Sequence, residues 1–367
     1  MRKTSLFART AAFAAAAVAL AIPVAAQHYQ VTPLTADQVG VATNTDTNLV
    51  NPWGLSRNSG SPWWVSDNGT GLSTLYDGTG AAKGLVVTIP PADPSASSSG
   101  TPTGTLYNGG TGFELAAGMP AVFLFVTEDG TISGWNPKVN PTNAVITVNT
   151  KSASVFKGAA FATADFPFVG QQTFLYVADF RGARIRVYDS KFHHVRLDDD
   201  AFRDEFLPRG YAPFNIQNIG GELYVSFAKQ DSEKHDEVDG PGLGFVDVFS
   251  PSGRLHHRLQ HGSWFNGPWA LSLAPGDFGI YSHKILVGQF GSGNVAVFDP
   301  VTGRFEDFLR DASNNPIAID GLWALSAGSG TGSGSATALY FSAGSDGEQH
   351  GLFGTITPVE NTLGNSQ

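Results

Sequence analysis

The 367-residue chain contains no cysteine. Disulfides, thiol nucleophiles, thiolate metal sites and lipidated cysteines are therefore excluded together. The fold must be held by its apolar core alone, and a chain of this length can build one. Charge is sparse, at 15% of residues, and leans acidic: 22 Lys and Arg stand against 32 Asp and Glu, a formal −10. That sign repels phosphate backbones and anionic lipid, which argues against nucleic-acid and membrane partners. Cations, neutral sugars, small hydrophobic molecules and proteins remain open as ligands. No Gly-x-Ser-x-Gly elbow, His-Glu-x-x-His pair or phosphate-cradling glycine loop is present, so the common enzyme signatures are missing too.

The only long apolar run is the first one. Arg2, Lys3 and Arg9 precede or flank an apolar stretch from Ala11 to Ile22, and Val24-Ala25-Ala26 supplies small residues for cleavage. Residues 1–26 read as a signal peptide rather than a membrane anchor, because the run is short for a span. Its removal takes three basic residues and no acidic ones, so the formal −10 becomes −13. The expectation is a secreted or periplasmic, soluble, monomeric protein beginning at Gln27, with residues 27–359 as one domain and 360–367 as a polar tail.

What the chain has in quantity is glycine, 44 residues, and phenylalanine, 26, a composition for short strands and tight turns. It also repeats itself. Asn51-Pro52-Trp53-Gly54-Leu55, Gly267-Pro268-Trp269-Ala270-Leu271 and Gly321-Leu322-Trp323-Ala324-Leu325 are copies of one phrase, and Ala212-Pro213-Phe214-Asn215-Ile216 is a fourth with Phe for Trp. The spacing is about 54 residues or a multiple of it, the mark of stacked supersecondary units. Six four-stranded units account for the length and predict an all-β, six-bladed β-propeller. The tryptophans of the repeat are expected as packing anchors at the hub. Blade six is one strand short, and the orphan strand 28–34 is expected to complete it, closing the ring without an exposed edge.

In such a ring the connections between blades, and those joining second to third strands, open on one face around the channel. Asn51, Lys157, Asn266 and Asp320 are expected just before inner strands at that mouth, as ligand-binding groups, with Trp264 above them as a ring for stacking on a sugar. Asp67, Asn68, Glu128, Asp179 and Gln289 end second strands, where they are expected mainly to fix turns. Two acidic segments, Asp198-Asp199-Asp200 with Asp204 and Glu205, and the loop Asp231 to Asp239, are expected on the same face. The loop carboxylates Asp231, Asp236 and Asp239 could hold a hard divalent cation such as Ca²⁺, although the spacing is not that of an EF-hand. His235 and His261 are the histidines best placed to assist. The pairs His193-His194 and His256-His257 sit on outer strands, where adjacent side chains point to opposite faces. The opposite face carries the loop Gly328 to Ser335, which offers little to bind with.

Several runs resemble an exported bacterial protein family described alongside PEP-CTERM sorting systems. They are Thr45 through Leu55, Leu207-Pro208-Arg209-Gly210-Tyr211-Ala212-Pro213-Phe214-Asn215-Ile216, Ala228-Lys229-Gln230-Asp231 and Gly244-Phe245-Val246-Asp247-Val248-Phe249. The resemblance implies a six-bladed propeller shaped like NHL-repeat and gluconolactonase-like proteins, and no established activity. No Pro-Glu-Pro motif follows Val359, so free secretion is expected over surface sorting. Two functional readings stay open. One is a ligand-binding or protein-interaction scaffold. The other is a gluconolactonase-like metal-dependent hydrolase of a lactone or small ester, whose ion Asp320, Asn266 and Asn51 would hold.

Overall fold

The computed structural model describes residues 27–95, 98–166 and 169–359; the expected signal peptide and polar tail lie outside them. Six antiparallel sheets follow one another along the chain. Blade one begins with the inner strand Pro52–Ser56, and blades two to five with Pro102–Tyr107, Phe156–Phe166, Tyr211–Ile219 and Pro268–Leu273. Blade six contributes Leu322–Ala327, Leu339–Ala343 and Leu352–Pro358, and takes its fourth strand, Tyr29–Ala36, from the other end of the chain. A short parallel addition, Asn44–Thr45, makes that sheet five-stranded. The N-terminal strand is anchored by more than its ladder. Tyr29 is 1% exposed, its ring packs on Phe278, and its hydroxyl donates to the Phe278 carbonyl at 2.8 Å.

The second strands Trp63–Asp67, Phe123–Thr127 and Ile285–Gln289 are buried along their whole length, as are the third strands Thr131–Trp135 and Phe245–Phe249. Burial therefore does not alternate along these strands. Both faces of each blade are covered by neighbouring blades, so both must be apolar or internally satisfied. Solvent reaches the outermost strands instead, such as Leu255–Arg258 and Phe305–Phe308.

The repeated phrase has a local consequence. In every blade the pairing of inner with second strand is interrupted near the start of the inner strand. The residues left without a ladder partner there include Trp53, Thr103, Lys157, Phe214, Trp269 and Trp323. A bulge turns its extra residue out of the ladder, and here most of these side chains meet in the hub. Trp53, Phe214, Trp269 and Trp323 form one buried cluster with Phe180. The Trp53 and Trp323 rings stack at 3.5 Å, and Trp269 meets both edge-on at 5.9 Å. The channel is thus closed by aromatics, and blade three places a lysine in the ring of positions where four other blades place an aromatic. Close approach at the hub also demands small neighbours: a Cβ on Gly158 would lie 1.9 Å from Asn215 Oδ1.

Candidate functional site

Above the aromatic plug lies a cavity of about 360 Å³ lined by Asn51, Trp53, Asn68, Glu128, His235, Asp236, Glu237, Asp239, Phe290 and Glu348. Its centre of charge is Lys157. The side chain has no exposure, and Nζ pairs with Glu128 Oε1 at 2.5 Å and Asp236 Oδ1 at 3.1 Å. It also stands over the Trp53 ring, 4.9 Å from the centroid, where the ring's negative face favours a cation. Burial works to lower its pKa, but Glu128, Glu237 and Asp236 outweigh that and hold the ammonium above the ordinary lysine value. Lys157 is the second residue of its strand rather than the residue before it, and this is why it reaches the channel.

Five carboxylates share the cavity with that one ammonium. Hydrogen bonding to His235, whose Nδ1 lies 2.9 Å from Asp236 Oδ1, together with Lys157, holds Asp236 well below the usual carboxylate range. The same bond raises the His235 pKa. The others are less well compensated. Burial pushes the Glu237 carboxyl up to about 8 and Asp239 up to about 6, and it raises Glu348 as well. Glu348 receives one hydrogen bond, from Asn51 Nδ2 at 3.0 Å, and Glu128 receives one from Asn68 Nδ2 at 2.8 Å besides that of Lys157. Among the described residues, the Glu237 carboxyl accepts from its own backbone N–H, and no donor from another residue reaches it, the Asp239 carboxylate or Asp236 Oδ2. The indole N–H of Trp53 is also without a partner. Ligand atoms of Glu128, His235 and Asp236 lie within 4.8 Å of one another, which suits a single ion.

The backbone is held in costly shapes where these groups are presented. Asn51 has φ 46°, and Asp346, Gly347 and Glu348 form a consecutive left-handed run with φ 54°, 62° and 67°. Asn and Gly adopt this region readily, but Glu does not, and such residues cluster where function over-determines the chain.

The residues expected from the sequence divide into two groups. Asn51, Asp236 and Asp239 line the cavity, with Lys157 beneath them. Asn266, Asp320 and Asp231 do not line it; they hold the loops that do. Asn266 Oδ1 accepts from the Gly240 N–H at 2.6 Å, next to Asp239. Asp320 Oδ2 accepts from the Asp346 N–H at 2.8 Å and fixes the turn carrying Glu348. Asp231 Oδ1 accepts from the His235 N–H at 2.9 Å. Trp264 faces away from the mouth: its ring lies flat on Phe305 at 4.2 Å, and its N–H donates to the Gln260 carbonyl. His261 is used in stacking on Phe245. Asp67, Asp179 and Gln289 are all fully buried: Asp179 fixes its own turn through the Gly182 N–H, Asp67 accepts from Thr74 on the third strand, and Gln289 accepts from the Asn266 N–H on the neighbouring connection, whereas Asn68 and Glu128 reach the cavity. The segment Asp198 to Glu205 lies on the opposite face, beside the Ser252-Gly253-Arg254 turn, because the preceding outer strand, His194–Val195, is too short to carry the chain across the ring. Glu348 and Phe290 were missed, although both lie on connections from second to third strands, the same rule that located the acidic loop.

No protein-family model matches the chain. The uncharacterized protein L690 of Acanthamoeba polyphaga mimivirus is 32% identical over 327 residues, covering 86% of this chain and 82% of that protein. The uncharacterized protein R648 of the same virus is 30% identical over 308 residues, covering 81% and 73%. Among solved structures, a glucose dehydrogenase superposes with a TM-score of 0.54 at 9% identity, over 89% of this chain and 99% of that one; at that identity the likeness concerns the fold alone. The propeller likeness inferred from sequence is thus supported. These relatives are viral, and nothing in the comparisons supports a bacterial family tied to PEP-CTERM sorting. The chain belongs to the same family as the mimivirus proteins L690 and R648, and its fold is the six-bladed β-propeller.

Proposed function

We propose that the protein is a ligand-binding scaffold whose channel-mouth face captures a divalent cation. One observation carries the reading: a carboxylate oxygen of Glu128, one of Asp236 and a ring nitrogen of His235 lie within 4.8 Å of one another at one cavity, with the Glu237 and Asp239 carboxyls beside them. A hard cation wants several such oxygens at once, and a His, Glu and Asp set also admits Mn²⁺ or Zn²⁺. Lys157 and the loop-holding Asn266 and Asp320 are positioning residues in this reading. Titration calorimetry with Ca²⁺, Mg²⁺, Mn²⁺ and Zn²⁺ tests it. One of them should bind with unit stoichiometry, and Glu128→Gln/Asp236→Asn should abolish that binding. Four flat titrations would defeat the proposal.

A second reading, a metal-dependent hydrolase of lactones or small esters, draws on Glu237, whose carboxyl burial pushes up to about 8, beside the Glu128, His235 and Asp236 set. A bound ion would supply Lewis acidity and Glu237 a proton. Metal-stimulated lactone hydrolysis lost in Glu237→Gln, with metal affinity retained, separates it from the scaffold. Export is proposed on the sequence of residues 1–26; secreted protein should begin at Gln27, and intact precursor in the membrane fraction would contradict it.

A further inference from the structure

A cavity on the face opposite the mouth is larger than the mouth's own, about 900 Å³ against about 360 Å³. It lies between blades two and three, where the connection leaving the inner strand Pro102–Tyr107 meets the Ser190-Lys191 turn that follows the third strand Arg184–Tyr188. The Gly328 to Ser335 loop had suggested that this face binds nothing, but the loop belongs to blade six and is not part of the cavity.

Its floor and one wall are aromatic. Tyr107 is 37% exposed, and its hydroxyl has no protein partner among the described residues. The half-buried Phe161 packs on buried Phe113 with ring centroids 5.0 Å apart, and Phe113 is backed by Phe192 at 5.3 Å. These rings have little freedom to turn away. The segment Asn108-Gly109-Gly110-Thr111-Gly112 forms a wall almost without side chains, which keeps the space open. At Gly112 this is a requirement, because a Cβ there would meet Ser190 Cβ at 2.7 Å.

The remaining lining is polar and balanced in charge. Gln172 Oε1 accepts from the Ser190 N–H at 3.2 Å, which orients the amide and leaves its NH₂ free to donate. Thr173 adds a hydroxyl. Lys191 and Glu114 are one charge of each sign, so the cavity is neutral in a chain of formal charge −10. A wholly apolar ligand would strip water from the amide and hydroxyl groups without replacing it. An anion or cation would meet one attractive and one repulsive charge. A ligand with apolar C–H faces for the rings and hydroxyls for the amide meets neither cost.

We propose that this cavity binds a neutral saccharide chain, with Tyr107 and Phe161 as stacking platforms and Gln172 as the principal hydrogen-bonding group. The site is independent of the acidic mouth, on which the cation proposal rests.

Native affinity electrophoresis through gels containing dextran, laminarin, galactomannan, hydroxyethylcellulose or glycogen tests it. At least one of these polysaccharides should retard the wild-type protein. Tyr107→Ala should weaken that retardation about tenfold, the loss expected for one aromatic stacking face, and Gln172→Ala should weaken it as well. Both positions border solvent, and their melting temperatures should match wild type. Val301→Ala, at an exposed turn of blade five lining neither cavity, should be retarded like wild type. The proposal is overturned if none of the five polysaccharides retards the protein, if both cavity variants are retarded as strongly as wild type, or if only an anionic control such as polygalacturonate has an effect.

Discussion

Replacing Lys157 by Met removes the single ammonium of the mouth while keeping an unbranched apolar chain in a hub otherwise filled by aromatics. Breaking a buried ion pair on one side costs about 3–5 kcal/mol. The lower end applies here for two reasons. Asp236 has a side chain 61% exposed and can recover solvation, and Glu128, at 11%, keeps the Asn68 hydrogen bond. The expected loss is therefore about 3 kcal/mol, or roughly 6 °C at about 2 °C per kcal/mol for a domain of this size. Thermal unfolding by circular dichroism at pH 7.5 measures it for wild type, Lys157→Met, Glu128→Gln and the double variant. If the ion pair is the cause, the double variant should fall short of the summed single losses by at least about 1.5 kcal/mol, since coupling is the signature of a shared interaction. Additivity within about 0.5 kcal/mol would show that Lys157 acts through packing alone and would refute the reasoning.

Other consequences follow from single positions. Asp67 is fully buried, accepts from the Thr74 N–H, and has its pKa raised well above the usual range by burial, with nearby Asp46 adding to the effect. A raised folded-state pKa contributes stability below the unfolded value that is lost as pH climbs toward the folded one. Asp67→Asn should therefore melt above wild type at pH 8 and with it at pH 4; an equal difference at both would contradict this. Gly158→Ala forces a methyl against Asn215 and should cost about 1–3 kcal/mol, read as a fall in melting temperature; an unchanged value would mean that the hub can spread. Deleting residues 27–36 strips the strand paired with Leu352–Pro358 and opens an edge, so gel filtration should show aggregation. A monodisperse variant with wild-type melting would disprove the closure.

The ring was legible because the repeat is written in large side chains: Trp53, Phe214, Trp269 and Trp323 recur at the blade spacing and all reach the hub. The missing strand was legible because an unpaired edge needs a partner. The mouth was legible as a face, through chain topology, but not residue by residue. A side chain such as Asp320 reads the same in sequence whether it points at a ligand or caps a turn, and here it caps the turn of Asp346. Lys157 was placed correctly for an incomplete reason, since its register matches the hub aromatics rather than a loop. Glu348 escaped because its exposure to the mouth depends on three successive left-handed residues, a conformation that the Ser345-Asp346-Gly347-Glu348 sequence does not announce.

The claim that the acidic mouth holds a divalent cation is tested most directly by crystals grown with Mn²⁺ and measured for its anomalous scattering. The account predicts one strong peak in the cavity, within about 2.5 Å of ligand atoms of the Glu128, His235 and Asp236 group. A map with no peak there, or with peaks only at surface carboxylates away from the channel, would contradict it.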